Sequence, residues 1–264
     1  MPESCLTVAH RGASFDAPEN TLAAFHLAWE QGADAIETDI HLTRDSRIVC
    51  MHDPTTRRTC GVTLSVSQST CSELLACDAG SWKHPRYAGE KIPLLEDVIA
   101  TIPARKKVYI EVKCGLEIII PLRAVLSASH LSPDQAIIIS AHPAVIHAVK
   151  TELPEHQAYL IANFKLPGRT YGASAADSVI SILRNCQADG LDCYATRRIT
   201  TPFVERLHKA GLSLHVWTVD ETDAARYFLE RGVDSITTNQ PALIRKWLMD
   251  NGRWSCRGSG FGVQ

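Results

Sequence analysis

Four short pieces of this chain offer chemistry: His10-Arg11, Glu37-x-Asp39, His52-Asp53 and Glu111-x-Lys113. Each closes a run that reads as a β-strand. Residues two apart on a strand point to the same face, so Glu37 aims beside Asp39 and Glu111 beside Lys113. Packing gives no reason to put charged pairs on the inward face of buried strands, because an unpaired buried charge is expensive. A divalent metal carrying a phosphate group supplies the reason. Three carboxylates from two strands, Glu37, Asp39 and Glu111, suit a hard cation such as Mg²⁺ or Ca²⁺. His10 and His52 could then act as general acid and base on a metal-bound phosphodiester. Arg11 and Lys113 could bind its phosphoryl oxygens. Trp217 is either an apolar wall for a small polyol or a cap on the core. Of the remaining histidines, His142 follows a strand end and is a weaker candidate. His215, two residues before Trp217, suits a core or supporting role.

The elements that must position these groups alternate along the chain. Strands are expected at Leu6–His10, Ala35–Leu42, Ile48–His52, Lys107–Lys113, Ala136–Ala141, Ala158–Ala162, Gly190–Tyr194, Ser213–Thr218 and Asp234–Thr238. Amphipathic helical patterns lie between them: Asn20–Gln31, Leu95–Ile102, Leu116–Ala128, Pro143–Glu152, Ala176–Gln187, Thr201–Ala210, Glu221–Arg231 and Pro241–Asp250. Early prolines at Pro143, Pro202 and Pro241 mark helix starts, and Gly32, Gly211 and Gly232 mark ends. Eight βα units plus one extra strand in the first hairpin is the count of an α/β (β/α)8 TIM barrel, whose active face lies at the C-terminal ends of the strands. His10, Arg11, Glu37, Asp39, His52, Glu111, Lys113 and Trp217 all fall at that end. The competing doubly wound sheet calls for a glycine-rich phosphate loop after the first strand, and residues 11–15 do not make one. Residues 54–93 hold no clear element except a helical turn near Glu73–Ala76, and read as an excursion over the barrel mouth. Residues 1–250 are expected to form one barrel domain, and 251–264, Gly/Ser-rich beyond Arg253, a disordered tail.

Bulk properties narrow the partners. The 264 residues are 45% hydrophobic with a formal net charge of -2, enough for one large core and without the basic excess of a nucleic-acid or anionic-membrane binder. Apolar runs are broken within about ten residues, too short to span a bilayer. Nine cysteines without a C-x-x-C pair or zinc-like spacing are expected to stay reduced. With no basic-then-apolar leader before Leu6, the reading is a cytoplasmic protein without stable membrane association. Oligomeric state is left open.

In order, these pieces resemble the glycerophosphodiester phosphodiesterase family, its bacterial cytosolic members most closely. The resemblance runs through Ala9-His10-Arg11-Gly12, Ala17-Pro18-Glu19-Asn20-Thr21, the segment from Gly32 to Asp39, Thr43-Arg44-Asp45, Met51-His52-Asp53 and Arg58-Thr59. It continues through the segment from Asp78 to Trp82, Ile92-Pro93-Leu94-Leu95-Glu96, Ile110-Glu111-Val112-Lys113, Trp217-Thr218-Val219 and Gly232-Val233-Asp234. It implies Glu37, Asp39 and Glu111 as ligands of a divalent cation, His10 and His52 as the acid/base pair, and Arg11 and Lys113 on the phosphate. The implied reaction is hydrolysis of a glycerophosphodiester to sn-glycerol 3-phosphate and an alcohol. Departures fall at Ser46, Ala141, Asp220 and Thr237-Thr238-Asn239, where members often have Gly, Phe, Asn and Ile-Thr-Asp. None touches the catalytic set, though Ala141 and Asn239 could alter the pocket wall. Two rivals remain: a phosphatidylinositol-specific phospholipase C-like enzyme, distinguished by a cyclic phosphate product, and a non-catalytic module on an enzyme fold, removed by any metal-dependent turnover.

Overall fold

The structure, a computed structural model, describes residues 5–163 and 170–251. Among these residues nine strands form: β1 (Leu6–Ala9), β2 (Ala35–Leu42), β3 (Ile48–Cys50), β4 (Lys107–Val112), β5 (Ala136–Ser140), β6 (Ala158–Ala162), β7 (Gly190–Tyr194), β8 (Ser213–Trp217) and β9 (Ser235–Thr238). All neighbours pair in parallel except β2 with β3, and β1 pairs with both β2 and β9, which closes the sheet. The fold is a (β/α)8 barrel with β3 as an antiparallel hairpin partner outside the ring.

Strand periodicity divides the core in two. Val8, Ala35, Tyr109, Ile137, Ile139 and Tyr159 meet inside the barrel. Their sequence neighbours Ala9, Ile36, Val108, Ile110, Ile138 and Leu160 join the larger core under the helices. This is the alternation a closed sheet imposes on every strand. His215 belongs inside, stacked on Tyr159 with ring centroids 4.2 Å apart and edge-on to Tyr109 at 5.7 Å. It is a core histidine, and burial lowers its pKa to about 4. These rings fill the barrel interior between β4, β6 and β8.

The outer helices are α1 (Leu22–Glu30), α4 (Leu95–Ala100), α5 (Ile119–Ala128), α6 (Pro143–Glu152), α7 (Ala173–Asn185), α8 (Thr201–Lys209), α9 (Thr222–Leu229) and α10 (Pro241–Asp250), with α2 (Arg57–Cys60) and α3 (Cys71–Leu75) in the excursion. Asn251 closes α10, and the expected tail beyond it lies outside the described residues. Helix α1 starts at Leu22 rather than Asn20, because Asn20 sits at φ 55° and Thr21 caps the helix by accepting from the Ala24 backbone N–H. Helix α7 begins three residues earlier than its apolar stripe suggests.

The excursion holds more structure than the expected turn at Glu73–Ala76. Helix α3 is nucleated by a capping box in which Thr70 and Glu73 exchange hydrogen bonds. Single helical turns also form at Val66–Gln68 and Pro85–Tyr87. Elements this short carry little periodicity. They persist by packing Val66, Leu74, Cys77, Ala79 and Ile92 on Val49 and Met51. The excursion also reaches back to the loop after β1: Lys83 Nζ donates to the Ser14 carbonyl at 2.8 Å and Tyr87 Oη to the Asp16 carbonyl at 2.9 Å.

Candidate active site

The parallel register of β2 and β4 places Glu37 beside Tyr109 and Asp39 beside Glu111. The three acids converge as the sequence predicts: Glu37, Asp39 and Glu111 each offer an oxygen, and these lie within 4.8 Å of one another. Glu37 and Asp39 are buried. Glu37 Oε2 accepts from the Arg11 backbone N–H at 2.9 Å, while Oε1, equally enclosed, has no partner among the described residues. Asp39 Oδ2 accepts from Asn20 Nδ2 at 2.8 Å and lies 3.1 Å from Arg11 Nε. Lys113 Nζ stands 2.6 Å from Glu111 Oε1 and 3.0 Å from Asp39 Oδ1.

Negative charge exceeds what the two cations neutralise. Burial and then the neighbouring Asp39 push the Glu111 carboxyl up to about 7, and burial, Asp39 and Glu111 push Glu37 up as well. Asp39 takes the opposite course: burial opposes its ionisation, but Lys113 and Arg11 together hold it down at about 2. A buried carboxylate oxygen without a donor is costly. The orphaned Glu37 Oε1, close to where two more acids converge, is the feature a divalent cation would satisfy. The donor set is all oxygen, as hard cations require.

The two histidines sit just beyond their strands. His10 follows β1, its backbone N–H donating to the Thr238 carbonyl at 2.8 Å, and its Nδ1 lies 2.8 Å from Asn239 Oδ1. Burial and the adjacent Arg11 lower its pKa to about 4, so it rests neutral. His52 lies past β3, with Nδ1 2.7 Å from Asp53 Oδ1. Asp53 is held well below the usual carboxylate range, first by its hydrogen bonds from Arg58. The turn after β1 is strained: Arg11 takes φ 57°, rare for a side chain with a Cβ. Gly12 takes φ 80°, and a Cβ there would come within 2.6 Å of the Ala24 backbone. That turn delivers the Arg11 N–H to Glu37 and its guanidinium to Asp39.

Trp217 ends β8 with its indole edge-on to Tyr194, centroids 5.9 Å apart, and its buried Nε1 has no partner among the described residues. His142 stands exposed beyond β5, at the head of α6. The sequence gives no role to Glu19, Asn20 or Asp192, and reads Asn239 only as part of the pocket wall. Glu19 bridges Arg11 and Arg58, Asn20 holds Asp39, and Asn239 holds His10. Asp192 lies inside the barrel, 3% exposed, its Oδ1 without a hydrogen-bond partner among the described residues. The signal for Asp192 was a charged residue at an inward position of β7.

Comparison with known proteins decides the family. The profile of the Glycerophosphoryl diester phosphodiesterase family matches residues 10–243, nearly the whole described chain. The chain belongs to this family. It is 30% identical over 264 residues to the glycerophosphodiester phosphodiesterase of Bacillus subtilis, covering 93% of this chain and 87% of the relative. Identity to the glycerophosphodiester phosphodiesterase of Caldanaerobacter subterraneus is 32% over 253 residues, covering 91% and 98%. Among solved structures, a phosphodiesterase of Oleispira antarctica in complex with the product sn-glycerol-3-phosphate superposes with a TM-score of 0.82. Its sequence identity is 26%, and the match covers 92% of this chain and 96% of that one. The chain is thus an enzyme with glycerophosphodiester phosphodiesterase activity. No helix among the described residues is long and apolar enough to cross a membrane.

Proposed function

We propose that this enzyme hydrolyses glycerophosphodiesters to sn-glycerol 3-phosphate and an alcohol, using a divalent cation and the two histidines His10 and His52 as base and acid. The observation that carries the reading is the convergence of Glu37, Asp39 and Glu111 around the unpartnered Glu37 Oε1. Those three carboxylates would hold Mg²⁺ or Ca²⁺. When bound, the cation supplies electrostatic stabilisation to the phosphoryl oxygens. Arg11 and Lys113 flank the acids and would bind the remaining phosphoryl charge, as charge-assisted donors that need no reorganisation.

The different partners of the two imidazoles support a division of labour. His10 is neutral at rest and faces an amide, which suits a group that takes a proton from the attacking water. His52 faces the carboxylate of Asp53, a partner that balances an imidazolium and suits a group that gives a proton to the leaving alkoxide. Trp217 and Tyr194 would provide an apolar wall for the glycerol carbons. The product complex of the Oleispira antarctica phosphodiesterase supports a small-molecule substrate of this kind. We further read residues 1–250 as one barrel domain, with 54–93 shaping its mouth, on the hydrogen bonds that join the excursion to residues 14–19. A cytoplasmic enzyme that engages neither nucleic acid nor a membrane agrees with the charge balance.

The experiment is a panel of glycerophosphodiesters offered to purified enzyme with and without chelator, the products being identified. Metal-dependent release of sn-glycerol 3-phosphate supports the reading. A cyclic phosphate as the final product, or full activity after exhaustive chelation, overturns it.

A further inference from the structure

Asn239 lies immediately beyond β9 between two groups of opposite demand. On one side is Asp220, whose carboxylate receives three donors: the Asn239 backbone N–H on Oδ1 at 2.7 Å, Asn239 Nδ2 on Oδ2 at 2.6 Å, and Thr238 Oγ1 on Oδ1 at 3.0 Å. A carboxylate has only acceptors to offer, so Asn239 must turn its NH₂ towards Asp220 and its carbonyl oxygen away. On the far side that oxygen meets Ser14 Oγ at 2.9 Å and His10 Nδ1 at 2.8 Å. An amide oxygen also only accepts. Ser14 must donate its hydroxyl hydrogen, and His10 must carry its hydrogen on Nδ1. The lone pair of the neutral ring is left on Nε2.

We propose that Asp220 and Asn239 are positioning residues that lock His10 in the Nδ1–H tautomer and leave Nε2 as the nitrogen able to take a proton. Neither residue needs to touch substrate; they act through His10, and the proposal rests on the reading of His10 as base given above. The lock extends to the strand frame. The His10 backbone N–H donates to the Thr238 carbonyl at 2.8 Å, and the Phe15 N–H to the Asn239 carbonyl at 3.1 Å, so ring, amide and the turn after β1 move as one. Burial beside Arg11 keeps the imidazole neutral, the state in which tautomer choice matters. His52 contrasts with this, since its Nδ1 faces a carboxylate rather than an amide.

A purely architectural role, tying β9 to the loop after β8, makes a different prediction from a tautomer lock. The decisive variant is Asp220→Asn, which changes one acceptor into a donor. The amide introduced at this position keeps an oxygen for the Asn239 backbone N–H and opposes its own NH₂ to that of Asn239. The Asn239 amide must then rotate and present NH₂ to His10, which forces the hydrogen onto Nε2. The double exchange Asp220→Asn/Asn239→Asp restores an acceptor facing His10, because the introduced amide then donates to the introduced carboxylate.

Nitrogen-15 NMR of the imidazole rings reads the tautomer in the resting protein, with a His10→Gln sample for assignment. Wild type and the double exchange should show a protonated Nδ1 and an unprotonated Nε2, and Asp220→Asn the reverse. Steady-state kinetics should follow, with kcat of Asp220→Asn down about 10²-fold, the usual scale of a general base, and recovery to within about tenfold in the double exchange. An Nε2–H tautomer in the wild type, or an unaltered tautomer in folded Asp220→Asn, overturns the proposal. Failure of the base reading is separable: full activity in His10→Ala would remove the base while leaving the spectra to report the lock.

Discussion

Arg58 grips Glu19 with both ends of its guanidinium, Nη1 to Oε2 and Nη2 to Oε1, each at 2.7 Å. The same side chain holds Asp53 through Nε at 2.8 Å and Nη2 at 3.0 Å, and Asp53 in turn receives His52 Nδ1. Glu19 also accepts from Arg11 Nη1 at 2.9 Å. One residue of the excursion thus joins the candidate acid to the candidate phosphate-binding arginine.

Arg58→Lys should therefore damage catalysis more than binding. A lysine supplies charge but cannot serve both carboxylates in forked geometry. The expected result is a kcat lower by about tenfold with KM changed by less, in a protein whose circular dichroism is unaltered. An unchanged kcat would show that Asp53 orients His52 without help.

Removal of the metal should abolish turnover, and Mg²⁺ or Ca²⁺ should restore it. Glu37→Gln should weaken metal affinity in calorimetry, because an amide lacks the charge that holds a hard cation. The variant should remain folded, since it lifts the repulsion between Glu37, Asp39 and Glu111. Wild-type affinity in Glu37→Gln would exclude it as a ligand.

His10→Ala and His52→Ala should each fold normally and lose at least ~10²-fold in kcat, measured by product release at saturating metal. A variant that unfolds instead marks its histidine as a packing residue.

Asp192 yields a pH-dependent stability. Burial, and then the charge of Glu111, raise its pKa well above the usual value. At acidic pH, below the unfolded-state value, the group is neutral in both states and costs nothing. As pH rises, the unfolded chain ionises while the folded one resists, so stability is lost towards neutrality. Asp192→Asn keeps the neutral shape and removes the loss. Its thermal midpoint should exceed that of wild type near neutral pH and converge with it in acid, below the unfolded-state carboxylate range. Equal midpoints under both conditions would sink this account.

Selection should fall on the glycerol phosphate half of the substrate. Tyr194 and Trp217 meet as one edge-on pair, not as the cage of stacked aromatics that favours a quaternary ammonium. Glycerophosphocholine, glycerophosphoethanolamine and glycerophosphoglycerol should have kcat/KM values within about a factor of ten, roughly 1.4 kcal/mol of transition-state binding. Bis(p-nitrophenyl) phosphate should be far poorer. A hundredfold preference for one head group would place specificity on the other side.

Alternation of apolar strands with amphipathic helices supplied the βα count of a barrel, and the lack of a glycine-rich loop at residues 11–15 set it above a doubly wound sheet. Period-two spacing was enough to aim Glu37 with Asp39 and Glu111 with Lys113 at one end of it. These are local facts: a strand fixes which face a residue takes, and a βα unit fixes which end carries the loops. What the sequence left open depends on neighbours brought together only by closure of the sheet and by the excursion. Asp220 and Asn239 read separately as two departures from a family pattern, and the fold makes them hydrogen-bond partners. Arg58 lay in a stretch without clear periodicity, where helix α2 depends on packing rather than pattern. Asp192 stood at an inward position whose isolation shows only when the opposite strands are in place. Donor and acceptor direction is the last thing decided, because a tautomer depends on the whole chain of partners and no single residue in it carries the choice.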